Sequence, residues 1–109
     1  TYGPFALDMI ECGQYSRYWR QHHLFPEESA LVAQEVGARY AMPIHWGAFT
    51  LAMHRWNDPP ERFIQRAQQL GVTVVTPQIG EPMTVQDVPD NMPQTPWWRR
   101  PCVAPPVHP

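Results

Sequence analysis

Residues 58–76 read DPPERFIQRAQQLGVTVVT, and this run decides the fold class. Asp58-Pro59-Pro60-Glu61 has the form of a helix start: Asp58 placed to cap, Pro59 at the first helical position, and Glu61 three residues on, as a capping box requires. Phe63, Ile64, Ala67 and Leu70 recur at helical spacing and define one apolar stripe. Gly71 stops the helix. Residues 72–76 (VTVVT) are rich in β-branched side chains and read as a strand.

Upstream the same alternation repeats. Residues 5–12 (FALDMIEC) carry apolar side chains on both faces, which suits a strand buried in an α/β sheet. Gly13 ends it, and residues 14–25 are aromatic and polar without period, so they read as a loop. A helix follows from Pro26, with Glu27 and Glu28 in its first turn and Gly37 just past its end. Ala30, Ala33, Gln34 and Gly37 share a face of little bulk, while Leu31, Val32, Glu35 and Val36 mix apolar and charged groups. Residues 40–45 (YAMPIH) form the next strand, which Pro43 predicts to be short, bulged or at an edge. Residues 47–57 read as loop. Strand, helix, strand, helix, strand is the pattern of a parallel α/β layer.

The layer so defined is incomplete, with edges and one face that need partners. Of the 109 residues, 1–85 read as the ordered portion and 86–109 as a Pro-rich extended tail, with seven prolines and little to bury besides Trp97 and Trp98. Such a tail is expected to lie across a neighbouring surface on those two tryptophans. The chain opens at Thr1 without Met and runs straight into an apolar stretch, which predicts a fragment, a processed chain or part of something longer.

Eight arginines, no lysine and ten acidic residues give a net charge of −2. A phosphate-backbone binder needs a basic patch, and Arg99-Arg100 is the only adjacent basic pair, so no nucleic-acid partner is expected. No apolar run is long enough to span a membrane, and no signal peptide is present in this sequence. The location is left open, with the cytoplasm favoured. Cys12 reads as a buried thiol at a strand end and Cys102 lies in the tail; two cysteines do not make a disulfide scaffold.

Five histidines carry the candidate chemistry. His45 stands at the C-terminal end of a strand, where open α/β sheets place ligands, and a neutral imidazole there can hold a metal. The alternative is a histidine hydrogen-bonded to a carbonyl at the strand end. His22 and His23 precede a helix N-terminus, which favours anions, and could equally be exposed or cap-associated. His54 and His108 read as structural or solvent-facing. Asp8 and Glu11 lie in the first strand, where a carboxylate must be paired, point outward or belong to a site. Tyr15, Tyr18 and Trp19 could line a cleft or simply pack their loop. No Ser-His-Asp arrangement, phosphate loop or CxxC is present.

At PIHWGAF, residues 43–49, the chain resembles the metallo-β-lactamase superfamily, in particular hydrolases similar to N-acyl-phosphatidylethanolamine-hydrolysing phospholipase D and L-ascorbate-6-phosphate lactonase. The likeness runs from GPF (residues 3–5) through ECGQY (11–15), Trp19 and HLFPEE (23–28) to DPPERF (58–63) and GVTVVTPQIGEP (71–82). It implies the C-terminal half of an αββα sandwich. It implies His45 as a metal ligand, His23 as a catalytic residue, and Tyr15, Trp19 and Trp46 beside the substrate. The implied reaction is hydrolysis of a phosphodiester or lactone through a metal-bound hydroxide, with one or two zinc ions, or manganese, in the complete enzyme. The family's HxHxDH motif, its next histidine and its bridging aspartate precede this region, so the N-terminal half of the domain is the implied partner, beside a small-molecule or lipid-like substrate; a homo-oligomer is left open. The chain alone is then expected to be inactive. Two departures stand out: Phe25 replaces a capping Asn or Asp, at about 1 kcal/mol if nothing else satisfies the amides, and Tyr18 replaces a loop arginine. The rival reading is a non-catalytic α/β module that binds a partner through its sheet edge and Trp97-Trp98.

Overall fold

The computed structural model describes residues 3–48, 51–85 and 92–100. Strand β1 (Leu7–Glu11), helix α1 (Pro26–Glu35), strand β2 (Tyr40–Ile44), helix α2 (Asp58–Leu70) and strand β3 (Thr73–Val74) follow in the expected order. The three strands form one parallel sheet in the order β1-β2-β3. The strands are shorter than expected by a residue or more, most of all β3, whereas α2 begins one residue earlier, at Asp58.

Pro43 sits in the central strand, and the sheet explains why it is tolerated there. Tyr40 N–H donates to the Ala6 carbonyl, so the even-numbered amides of β2 face β1 and the odd-numbered ones face β3. The amide that Pro43 lacks therefore points to the side where β3 has already ended, since only Tyr40 and Ala41 pair with Thr73 and Val74. Pro43 is interior on one side and effectively at an edge on the other.

Both helices cover one face. Ile10, Cys12 and Ala41 pack against Ala30 and Ala33 of α1 and Phe63 and Ala67 of α2. The small face of α1 is the buried one, which lets the two helices lie close together, and Leu31 stays exposed. Burial pushes the Cys12 thiol up from its ordinary range, as suits an inert core cysteine. Cys102 and His108 lie outside the described residues.

Alternation puts Leu7 and Met9 of β1 and Met42 and Ile44 of β2 on the opposite face, in register. Part of that face is covered by Met83 and by Met92, which packs on Tyr40 and Val75. The rest is open: Met9 is 60% exposed. Residues 92–100 turn back onto the chain's own body. Thr76 N–H donates to the Pro93 carbonyl at 2.8 Å, its hydroxyl reaches the Thr95 carbonyl at 3.2 Å, and Trp98 is buried. Val75 N–H still donates to the Ala41 carbonyl at 2.9 Å, so Thr76 bonds the incoming segment on the side of β3 away from β2.

The helix starts differ from expectation in their partners. Asp58 is the first residue of α2 and does not cap it; Asn57 precedes it without a side-chain cap. Glu61 does not reach back to the cap either, because Trp98 and Arg99 hold its carboxylate. At α1, Phe25 offers no acceptor, but Glu28 accepts the Phe25 N–H at 3.1 Å and supplies half of a capping box.

Candidate functional site

β1 and β2 end side by side, with Glu11 opposite Ile44 and His45 one residue further on. At His45 the chain turns sharply into a left-handed conformation, φ 66°, which is uncommon for a residue with a Cβ. Gly13 permits that turn: a Cβ added there would lie 1.9 Å from the His45 carbonyl oxygen. The glycine read from sequence as a strand terminator is thus also a close-approach position.

The loop after β1 carries His23 back to the same point. Glu11 Oε2 lies 2.9 Å from His23 Nδ1 and 3.4 Å from His45 Nδ1. Leu24 N–H donates to the other oxygen, Oε1, at 3.1 Å, and Ser29 Oγ holds the Glu11 main-chain carbonyl. Partial burial raises the Glu11 carboxyl, but the His23 and Leu24 hydrogen bonds and the two nearby imidazoles outweigh it, so its pKa falls below the ordinary value. An ionised carboxylate can only accept, so His23 Nδ1 must donate, and its Nε2 is the nitrogen left for other chemistry.

Glu11, His23 and His45 offer ligand atoms that all lie within 4.8 Å of one another. Two imidazoles and a carboxylate are donors suited to zinc. Two ligands of a tetrahedral zinc stand about 3.3 Å apart, from bonds of about 2.0–2.1 Å. The Glu11–His45 separation matches that spacing, whereas the Glu11–His23 contact is a hydrogen bond. The donor set therefore fits a metal, with His23 held as a hydrogen-bonded neighbour.

A cleft of about 420 Å³ opens here, lined by Gln14, His23, His45, Trp46, Ala48 and Leu51. Trp19 and His22 border a smaller hollow that shares Gln14, His23 and Leu51 with it. Trp46 and Trp19 thus stand around the histidines. Tyr15 does not line either hollow: it is 6% exposed, stacked on His54, and its hydroxyl donates to Asp58. Its place is beneath the wall. His54 accepts Gln14 N–H at 2.8 Å through Nε2 and faces the Arg55 carbonyl at 2.9 Å through Nδ1.

Two residues of the site were not assigned a role from sequence. Glu11 was signalled only as a carboxylate in an apolar strand. Gln14, also left-handed at φ 64°, accepts Leu51 and Ala52 N–H groups through its side chain and ties one wall to the other; the sequence flagged it only as part of the ECGQY stretch.

No family model matches the chain. It is 37% identical over 101 residues to an uncharacterized protein of Mycobacterium tuberculosis, covering 90% of this chain and 26% of that protein. It is 31% identical over 64 residues to the mitochondrial N-acyl-phosphatidylethanolamine-hydrolyzing phospholipase D of Saccharomyces cerevisiae, covering 57% of this chain and 14% of that enzyme. The corresponding phospholipase D 1 of Caenorhabditis elegans is 39% identical over 51 residues, covering 45% and 14%. The chain thus spans about a quarter of the length of the first of these relatives, and less of the other two. The likeness to the two phospholipases supports a relationship of metallo-β-lactamase type and hints at a metal-dependent hydrolase. Among the described residues no helix is long and apolar enough to cross a membrane.

Proposed function

We propose that this chain supplies one half of the active site of a metallo-β-lactamase-like, metal-dependent hydrolase. The observation that carries the reading is the shared carboxylate: Glu11 meets the Nδ1 atoms of both His23 and His45 beside a cleft at the sheet's C-terminal end. Glu11 and His45 stand at the spacing of two ligands of one metal, while the hydrogen bond from His23 to the same carboxylate fixes the His23 tautomer. His45 holds the metal, zinc or manganese, with the remaining ligands supplied by the N-terminal half of the domain. When bound, the metal supplies a water of lowered pKa and polarises the bond under attack. His23, oriented by Glu11, presents Nε2 to the leaving group and donates its proton there. Trp46 and Trp19 bound the substrate and keep bulk water from the cleft. A phosphodiester is favoured over a lactone, since the two named relatives are phospholipases.

The open sheet face supports the incomplete site. Leu7, Met9, Met42 and Ile44 form an apolar surface on the side away from the helices, where a second sheet of a sandwich would pack. The rival reading of a non-catalytic module rests on that same face; its other support weakens, because Trp98 is spent within the chain.

One histidine and one carboxylate fall short of the three or four protein ligands that zinc uses. The isolated 109-residue chain is therefore expected to bind zinc weakly and hydrolyse nothing. Elemental analysis of the purified chain checks this; tight stoichiometric zinc would sink the half-site reading. In the full-length protein, an HxHxDH sequence upstream of Thr1 is the expected complement.

A further inference from the structure

The proposed chemistry uses Trp46 but neither tryptophan of the C-terminal segment, although both enclose it. Trp97 stacks on the Trp46 ring at 5.4 Å and 23°, and Trp98 meets it edge-on at 5.3 Å and 80°. The Trp46 indole N–H donates to the Pro43 carbonyl at 2.9 Å, inside β2. The short turn Trp97–Arg99 is in turn latched to a single carboxylate in the first turn of α2. Glu61 accepts from Trp98 Nε1 at 2.7 Å and takes two bonds of 2.7 Å from the Arg99 guanidinium, a bidentate pair. Trp98 is 4% exposed, so the latch is closed over a packed ring.

We propose that this strap, latched on Glu61, positions His45 by clamping Trp46. His45 occupies a left-handed conformation that a residue with a Cβ adopts only when its surroundings hold it there. Gly13 bounds its carbonyl on one side. On the other side the next residue is Trp46, and the ring of Trp46 is fixed by Pro43, Trp97 and Trp98. Releasing the strap frees the ring, and the backbone at His45 then relaxes away from Glu11. Trp97, Trp98 and Glu61 are positioning residues and touch no reacting atom. The inference rests on the reading of His45 as a metal ligand.

The test uses the full-length protein with Glu61→Ala, Glu61→Gln, Trp97→Leu and Arg99→Ala. The first readout is the His45 imidazole resonances in the metal-free protein, with those of His54 as internal reference. The second is zinc affinity from competition with a chelator. Glu61→Ala and Trp97→Leu are expected to move the His45 resonances and to weaken zinc binding by about 10–100-fold, the range seen when a ligand's supporting contacts are lost. Glu61→Gln keeps an oxygen for Trp98 Nε1 and is expected to restore most of both. Arg99→Ala removes only an exposed side chain, so it reports on the latch even where a larger change prevents folding; it must move His45 in the same direction by less. His45 resonances unmoved in Glu61→Ala and Arg99→Ala alike would overturn the inference, and so would parental zinc affinity in Trp97→Leu. If the parent takes up no zinc while the His45 resonances move, the metal reading fails and the positioning role stands.

Discussion

Two clusters of the same residue types lie on either side of Gln14, and they do opposite things. At the end of β2, Glu11, His23 and His45 meet with nitrogens left over, and the His45 side chain is 55% exposed. At the start of α2, His54, Tyr15, Asp58, Arg62 and Glu27 form a knot in which every partner is accounted for. His54 uses both ring nitrogens. Tyr15 donates a hydrogen bond from its hydroxyl to Asp58, and burial pushes its phenol up from its ordinary range. Arg62 makes bonds of 2.6 and 2.8 Å to Glu27 and reaches Asp58 at 3.3 Å, with its guanidinium over the rings of Tyr15 and Phe25. Chemistry needs the first kind of accounting and stability the second. The backbone agrees, since the strained φ belongs to His45 and not to His54.

The sharpest consequence concerns His23. With its Nδ1 donated to Glu11, it is expected on the proposed reading to act on the substrate without being a principal ligand. His23→Ala in the full-length enzyme is expected to lower kcat by about 10²–10⁴-fold while metal content stays near that of the parent. His22→Ala, outside the cleft, should do far less. Zinc content and kcat for both variants check this; loss of metal in His23→Ala would make His23 a ligand and merge its role with that of His45.

The knot should answer in stability. His54→Ala leaves the Gln14 N–H without its acceptor and removes a ring stacked on Tyr15, and is expected to cost about 1–3 kcal/mol in denaturant unfolding. Unchanged stability would mean that the knot holds nothing.

A smaller effect separates the two clusters by pH. Partial burial raises the Glu27 carboxyl, but the Arg62 hydrogen bonds and charge more than offset it, so its pKa is depressed on folding. A depressed carboxylate contributes stability above its unfolded pKa and loses it as pH falls through the folded one. Glu27→Gln should therefore flatten the acid limb of the stability profile while leaving it little changed near neutrality in slope. Glu27 is more than a third exposed, so the effect should stay under about 1 kcal/mol. An unaltered acid limb in thermal melts would remove the pair from the account.

The order of elements was legible because each boundary has a local chemical cause: Pro26 and Gly71 mark helix ends wherever the rest of the chain lies. His45 was legible in place, since a strand end is a local property; the orientation of α1 was not, because its faces mix apolar and charged groups. What escaped were partnerships set by distance in the sequence. Glu61 looked like a capping residue because the residues around it fit that pattern, yet Trp98 and Arg99 arrive from 37 and 38 residues away to take its carboxylate. The resemblance placed Tyr15 beside the substrate, while the residues alone left packing of the loop as the other reading; its hydroxyl is taken by Asp58 and its ring is buried. Glu11 was recognised as a problem, a charge in an apolar strand, but only the return of the loop through His23 supplied its partner. Gln14 lay in the ECGQY stretch, but its role carried no signal, because its amide joins two loops that only the folded chain brings together.

The central claim is that His45, and not its satisfied counterpart His54, holds the metal. Elemental analysis of the full-length protein and of its His45→Ala and His54→Ala variants, purified in parallel, tests it directly. The account predicts that His45→Ala loses metal while His54→Ala retains the parental content; equal metal in the two variants would contradict it.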